Sequence, residues 1–343
     1  ATIEKVNFYD NYDFLTGSHR GDFSDIKPVQ TTGANGLLAG SITKATNGQY
    51  LFEVKCYDPK GNVTNILRKG LDGYASNTVN VYTLTNKLDS TRTEVSVGYG
   101  ENLKISIGNK YSKSTNLPIT KTITLEHGHG PRSSTVRYDY DELNRLAKVN
   151  RPEKAGNVVY EYDVHGWPTK IETNSFKEHL YYADGQNPCY NGNISVMKWS
   201  NGNSSTRGYK FTYDSLNRLT KGVYCEGENL DRAYGRFDEY VYYDLNGNIT
   251  HLERGGCNAG GGYITIDDLN IQLSGNQVAH VSDAVKPIIY EGALDFNAGS
   301  DGQADYKYNG FGALTSDTGR GITMIEYDDS KNPARIQFAN GNV

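Results

Sequence analysis

The sequence is short of several things, and each shortage excludes a class of protein. No run of about 18 apolar residues occurs, which excludes a membrane-crossing helix. Basic residues (35) do not outnumber acidic ones (40), and the formal charge of −5 lacks the basic surplus or stripe of a nucleic-acid binder. Cysteine is scarce. Cys56, Cys189, Cys225 and Cys257 lie far apart without Cys-x-x-Cys spacing, which argues against a zinc or redox centre, and they are too few for a disulfide framework. They are expected to be partly buried free thiols, or to form one incidental bridge. No window spaces apolar residues at helical period between caps, so helix content is expected to be low. The chain shows no secretory leader, and it stops at Asn340-Gly341-Asn342-Val343 in mid-pattern, as an excised segment of a longer protein would.

What is abundant points one way. There are 27 Tyr against 10 Phe and 2 Trp, together with 38 Gly. Tyr and Thr suit a pleated, half-buried surface and Gly suits tight turns, a composition of many short strands. One heptapeptide recurs. It reads Tyr57-Asp58-Pro59-Lys60-Gly61-Asn62-Val63, then Tyr140-Asp141-Glu142-Leu143-Asn144-Arg145-Leu146, Tyr213-Asp214-Ser215-Leu216-Asn217-Arg218-Leu219 and Tyr243-Asp244-Leu245-Asn246-Gly247-Asn248-Ile249. Tyr162-Asp163-Val164-His165-Gly166-Trp167-Pro168 and Tyr327-Asp328-Asp329-Ser330-Lys331-Asn332-Pro333 are degenerate copies. Tyr308-Asn309-Gly310-Phe311-Gly312-Ala313-Leu314 has lost the Asp.

The motif has a physical reading. Side chains alternate before the Tyr (Val136, Tyr138, Tyr140; Val158, Tyr160, Tyr162; Tyr209, Phe211, Tyr213), which places them on one face of a strand. The Asp bonds forward to backbone N–H groups in an Asx turn, and the Gly or Asn after two further residues tolerates positive φ. The Arg or Asn then re-enters a second strand. Each unit is a hairpin too small to be stable alone, so neighbours must stack. Residues 75–130 read as a plainer antiparallel meander, with Gly100-Glu101-Asn102 as one of its turns.

Tyr-Asp-x-x-Gly/Asn-Arg-Leu resembles the YD repeat of bacterial RHS proteins and teneurins, over most of residues 50–343. Leu269 to Asp283, with Ser274-Gly275-Asn276-Gln277-Val278, as well as Ala293-Leu294-Asp295-Phe296-Asn297 and Ile325-Glu326-Tyr327, are similar to strings of the same bacterial sequences. The resemblance implies an all-β fold: a twisted, curved antiparallel strip of hairpins, part of a hollow β-shell that in many relatives encloses a C-terminal toxin or effector. On that reading residues 1–50 are an N-terminal segment of uncertain role, a degenerate repeat being one option, residues 51–135 a meander with one repeat, and residues 136–343 the repeat region. The segment would be a non-enzymatic piece of shell wall in a secreted or cell-surface protein. Its partners would be the rest of that parent protein and a C-terminal cargo domain, and strand edges left unpaired would invite self-association.

Other constellations carry less. His127-Gly128-His129-Gly130 is two imidazoles without a third metal ligand and reads as a turn. Asp244-Leu245-Asn246-Gly247-Asn248 echoes a calcium loop, but its Gly is fourth rather than sixth. Gly255-Gly256-Cys257-Asn258-Ala259-Gly260-Gly261-Gly262 lacks the ending of a phosphate loop and reads as a flexible insertion between strands. The motifs Gly-x-Ser-x-Gly and His-Glu-x-x-His are absent. No catalytic residue, metal or cofactor is therefore assigned. Trp167, in a turn slot, and Trp199, in a loop-like context, are the candidate ligand-binding residues, because an indole face packs well against a sugar ring. That makes a carbohydrate-binding or adhesion module the alternative, and a polysaccharide-acting enzyme a remote one.

Overall fold

A computed structural model describes all residues except 1–4, 18–22, 24–25, 29–31, 46–47, 71–73, 98–100, 129, 153–155, 185–186, 259, 286–294, 297, 300, 329–330 and 343. The protein is all-β, with 25 strands and one 3-residue 3-10 turn, Asp13–Leu15, among the described residues. It divides into two units, Ala1–Val159 and Tyr160–Val343.

In the first unit the strands are β1 (Lys5–Tyr9), β2 (Leu38–Lys44), β3 (Tyr50–Tyr57), β4 (Val63–Gly70), β5 (Tyr74–Tyr82), β6 (Leu88–Val97), β7 (Glu101–Tyr111), β8 (Pro118–Glu126), β9 (Pro131–Tyr140) and β10 (Leu146–Asn150). Each pairs antiparallel with the next, a meander without crossovers. Residues 5–44 thus join the ladder through β1 and β2. Between those strands the chain lays Tyr12, Phe14, Phe23 and Ile26 over Ala39, Ile42, Val54 and Tyr57, the main apolar core of this unit. Phe8, Phe14 and Phe23 stack or meet edge to face there. Gly40 is glycine because a Cβ would strike the Phe14 ring at 2.5 Å. Of the turn expected at Gly100-Glu101-Asn102, Glu101 and Asn102 are strand residues of β7, opposite Val97 and Ser96, and Gly100 is outside the described residues.

The unit boundary falls within β11 (Val158–Tyr162). The second unit continues with β12 (Pro168–Glu172), β13 (Phe176–Tyr181), β14 (Val196–Asn201), β15 (Arg207–Tyr213), β16 (Leu219–Glu226), β17 (Arg232–Ala233), β18 (Glu239–Tyr243), β19 (Ile249–Cys257), β20 (Tyr263–Ser274), β21 (Gln277–Asp283), β22 (Gln303–Tyr308), β23 (Leu314–Asp317), β24 (Ile322–Tyr327) and β25 (Pro333–Phe338). β12 to β16 pair in sequence. β16 then pairs with both β17 and β18, and β18 to β25 again pair in sequence.

Period two divides the second unit's strands between two faces. Val196 and Cys225 lie on one, covered by Leu230, which is 1% exposed. Gly208 must be glycine there, since a Cβ would run into the Met197 carbonyl and the Leu230 side chain. Trp199, Tyr209, Phe211 and Tyr224 form a contiguous aromatic row on the other face. Asp267, fully buried, is held by Arg254, whose Nε and Nη2 each lie 2.7 Å from its Oδ2. Its Oδ1 accepts from the Phe296 N–H at 2.7 Å, tying down part of the β21–β22 connection. Asp295 and Phe296 lie in that connection outside any strand, while Ala293, Leu294 and Asn297 fall outside the described residues. None of the four cysteines is in a disulfide.

Candidate functional site

The repeated heptapeptide builds the same turn each time. At Asp58 the N–H donates to the Asn62 carbonyl (2.9 Å) and the Gly61 N–H donates back to the Asp58 carbonyl (3.0 Å). This is a type I turn closed by a left-handed residue, with the bulge that register shifts mark beside it. The pattern recurs from Asp141, Asp163, Asp214, Asp244, Asn309 and Asp328. The fourth residue of these turns is left-handed in every copy: Gly61, Asn144, Gly166, Asn217, Gly247, Gly312 and Lys331, with φ between 62° and 89°. Gly and Asn tolerate that conformation, and Lys331 alone takes it with an unsuited side chain.

The Asp explains itself through its carboxylate. Oδ1 of Asp214 accepts the N–H groups of Leu216 and Arg218, both at 2.9 Å. Oδ2 accepts the Arg218 guanidinium at 2.6 Å. Asn62 and Asn248 offer amides in place of that guanidinium, to Asp58 and Asp244. Asn309, lacking a charge, still caps the Phe311 and Ala313 N–H groups. The N–H and then the guanidinium of Arg145 or Arg218 hold Asp141 and Asp214 below the usual carboxylate range, and the Asn62 and Asn248 amides do the same for Asp58 and Asp244. The fifth residue also reaches forward to the next turn. Arg218 Nη1 donates to the Asp244 carbonyl at 2.9 Å, and Asn62 Nδ2 meets Asn86 Oδ1 at 2.6 Å.

The Tyr has a separate task. In five copies the hydroxyl donates to the backbone carbonyl of a residue at or just before the start of an earlier strand: Tyr57 to Leu38 (2.7 Å), Tyr140 to Pro118 (2.9 Å), Tyr213 to Ile194 (2.9 Å), Tyr243 to Leu219 (2.8 Å) and Tyr327 to Leu314 (2.7 Å). Burial pushes the hydroxyls of Tyr57, Tyr140 and Tyr213 upward, which keeps them protonated as donors. The Asp therefore shapes its own hairpin and the Tyr clamps that hairpin to one before it. Tyr162 ends β11 and Tyr308 ends β22, each directly before its turn.

Sequence reading missed further copies. Tyr82-Thr83-Leu84-Thr85-Asn86-Lys87-Leu88 forms the same turn, with the Thr83 hydroxyl in place of the carboxylate and Asn86 left-handed. Tyr82, Tyr111 and Tyr182 are also clamps, to Val63, Leu88 and Pro168. For Tyr82 the signal was present as Asn86 four positions on and Leu88 two later, once Thr is admitted as a cap; Tyr111 has its Asn116 five positions on, in a turn one residue longer, and Tyr182 does not follow the spacing. The Gly-rich segment is a correction of the same kind. Gly255 and Gly256 lie on β19, and Asn258 caps the Gly260 and Gly262 N–H groups in a repeat-type turn, so no insertion exists there; Ala259 is outside the described residues. A Cβ on Gly256 would press into Ile266 at 2.7 Å, so this glycine marks close packing rather than looseness.

The remaining candidates fall as follows. Asp244 is a turn cap like the others. His127 and Gly128 lie in the β8–β9 connection, with His129 outside the described residues. Trp167 sits in its turn stacked on His165 (4.6 Å, 19°) and against Tyr182, with Gly192 over the indole. Trp199 is not in a loop: it lies on β14, opposite Glu178 and Arg207, and stacks on Tyr209 at 5.8 Å. The turn residues Asn201 to Ser204 that gave it a loop-like context begin where the strand ends. Several turns project an apolar side chain at the tip, including Leu84, Val164, Leu245 and Phe311, all more than four-fifths exposed.

No family model and no curated protein matches the chain. Its likeness is to TcdB2–TccC3. The TcdB2-TccC3-Cdc42 structure matches at 10% identity and a TM-score of 0.43, over 89% of this chain and 19% of that one. TcdB2-TccC3 without its hypervariable C-terminal region matches at 10% identity and a TM-score of 0.30, over 90% and 20%. Those chains are RHS/YD-repeat shell proteins, the family whose motif the sequence resembles. This chain spans about a fifth of their length. A porin-like protein from Bacteroides uniformis matches at 9% identity and a TM-score of 0.24, over 72% of this chain and 92% of that one. Among the described residues, no helix is long and apolar enough to cross a membrane.

Proposed function

We propose that this chain is a non-enzymatic length of wall in an RHS-type β-shell, carried by an extracellular or cell-surface protein. The observation that carries the reading is the pairing of a self-capping turn with a tyrosine that bonds back to an earlier hairpin. A wall must extend without a central globular core, so each added unit has to be fastened locally to its neighbours. In most copies the repeat does this with one side-chain cap, usually a carboxylate, and one tyrosine hydroxyl. The partners in this reading are the rest of the parent protein and a C-terminal cargo domain. A glycan-binding role through Trp167 and Trp199 has less in its favour, since each indole is already stacked on a neighbouring ring.

Limited proteolysis of the parent protein, with mass spectrometry of the surviving fragments, tests the reading. A segment C-terminal to Val343 that resists digestion until the repeats are cut or denatured is the expected result. Immediate loss of that segment while the repeats persist would refute enclosure.

A further inference from the structure

On one face of the β18–β19–β20 ladder, three side chains of metal-binding type converge. His251 and Glu253 are two apart on β19 and so point the same way. Glu253 is the register partner of Asp268 on β20. The Nε2 of His251 lies 3.2 Å from Glu253 Oε1 and 3.3 Å from Asp268 Oδ1, and one ligand atom from each residue lies within 4.8 Å of the others. The edge of the Tyr242 ring, from β18, meets the imidazole at 5.3 Å and 65° and restricts its rotation.

These separations have a meaning in coordination chemistry. Zinc bonds of about 2.0–2.2 Å at the tetrahedral angle place neighbouring ligand atoms roughly 3.3–3.6 Å apart. The two distances from Nε2 are already close to that edge length. The strand register supplies the arrangement, so little ordering of the chain is left for an ion to drive. An imidazole with two carboxylates selects a borderline ion over calcium or magnesium, which take oxygen ligands. We propose that His251, Glu253 and Asp268 form a binding site for one divalent transition ion of the zinc type, with water completing the coordination. Such an ion would staple β19 to β20. The site is independent of the shell reading and stands or falls apart from it.

The test is calorimetric titration of the purified chain with zinc chloride in a non-coordinating buffer at pH 7.5. One equivalent should bind with a Kd on the order of 10 µM or tighter. His251→Gln and Asp268→Asn should each lose that equivalent or weaken it by about tenfold or more. His280→Gln should leave it unchanged, because the His280–Asp305 pair on the same face, at 2.7 Å, offers only two ligands. Circular dichroism checks that each variant is folded, and zinc should raise the melting temperature of the wild type but not of His251→Gln. Absence of saturable binding, undiminished binding in both ligand variants, or equal competition by calcium would overturn the proposal and leave the cluster an ordinary ion pair.

Discussion

Replacing Tyr57 by Phe removes one oxygen and leaves the ring, so it isolates the clamp from the packing. The hydroxyl donates to the Leu38 carbonyl at 2.7 Å, and the residue is 5% exposed within the first unit's core. A hydrogen bond of this kind contributes a net ~0.5–1.5 kcal/mol, and the loss grows when the abandoned carbonyl stays away from water. The expected cost is therefore about 1–2 kcal/mol. For a unit of 159 residues that lowers the melting temperature by roughly 2–8 °C. Tyr190→Phe, at a residue 78% exposed, should change nothing and serves as the control. Tyr57→Ala should cost more, about 3–5 kcal/mol, because the ring is lost as well. Thermal and urea unfolding followed by circular dichroism read all three. If Tyr57→Phe is as stable as the Tyr190 control while Tyr57→Ala is severely destabilised, the ring packs but the hydroxyl fastens nothing, and the clamp argument fails.

Asp214→Ala should destabilise its hairpin more than Asp214→Asn, since an amide still caps the Leu216 and Arg218 N–H groups as Asn309 does in its own turn; chemical denaturation ranks the two. Asp58, Asp141, Asp214 and Asp244 have folded pKa values held below the ordinary 3.8, so the stability they add is present above that value and is lost as pH falls through the folded values; acid titration should unfold the wild type in that window, and Asp214→Asn should lose its own share of the pH dependence. Lys331→Gly relieves a left-handed backbone at φ 64° worth about 1 kcal/mol, against a cation–π contact to Phe311 worth about half that, and should raise the melting temperature slightly. Arg254→Ala strands the fully buried Asp267 carboxylate and should cost about 3–5 kcal/mol by denaturant unfolding, with wild-type behaviour returning if Asp267 is neutralised in the same chain.

Much of this was legible before the structure, for identifiable reasons. The turn could be read because its requirements are local: Asp for capping, Gly or Asn for the left-handed residue, and alternation for the strand before it. Asn217 and Gly247 perform the same backbone task, which is why the motif accepts either. The tyrosine's partner could not be read. Leu219 lies 24 positions before Tyr243, and nothing in either residue's neighbourhood announces the bond between them. The cap at Thr83 was missed because a hydroxyl replaces the expected carboxylate. Gly255 and Gly256 misled for a physical reason: a glycine that permits close packing looks in sequence like one that permits motion. Trp199 was misplaced because period two extends only a few residues before an Asn- and Ser-rich turn. The cluster of His251, Glu253 and Asp268 depends on strand register, which pairs residues 15 apart and left no compact motif to find.

The most direct test of the central claim is an electron cryomicroscopy map of the parent protein. The account predicts that residues 50–343 form successive hairpins in the wall of a closed shell, with each motif tyrosine against the carbonyl of an earlier hairpin and protein density inside. A map showing these repeats as an open stalk with nothing enclosed would contradict it.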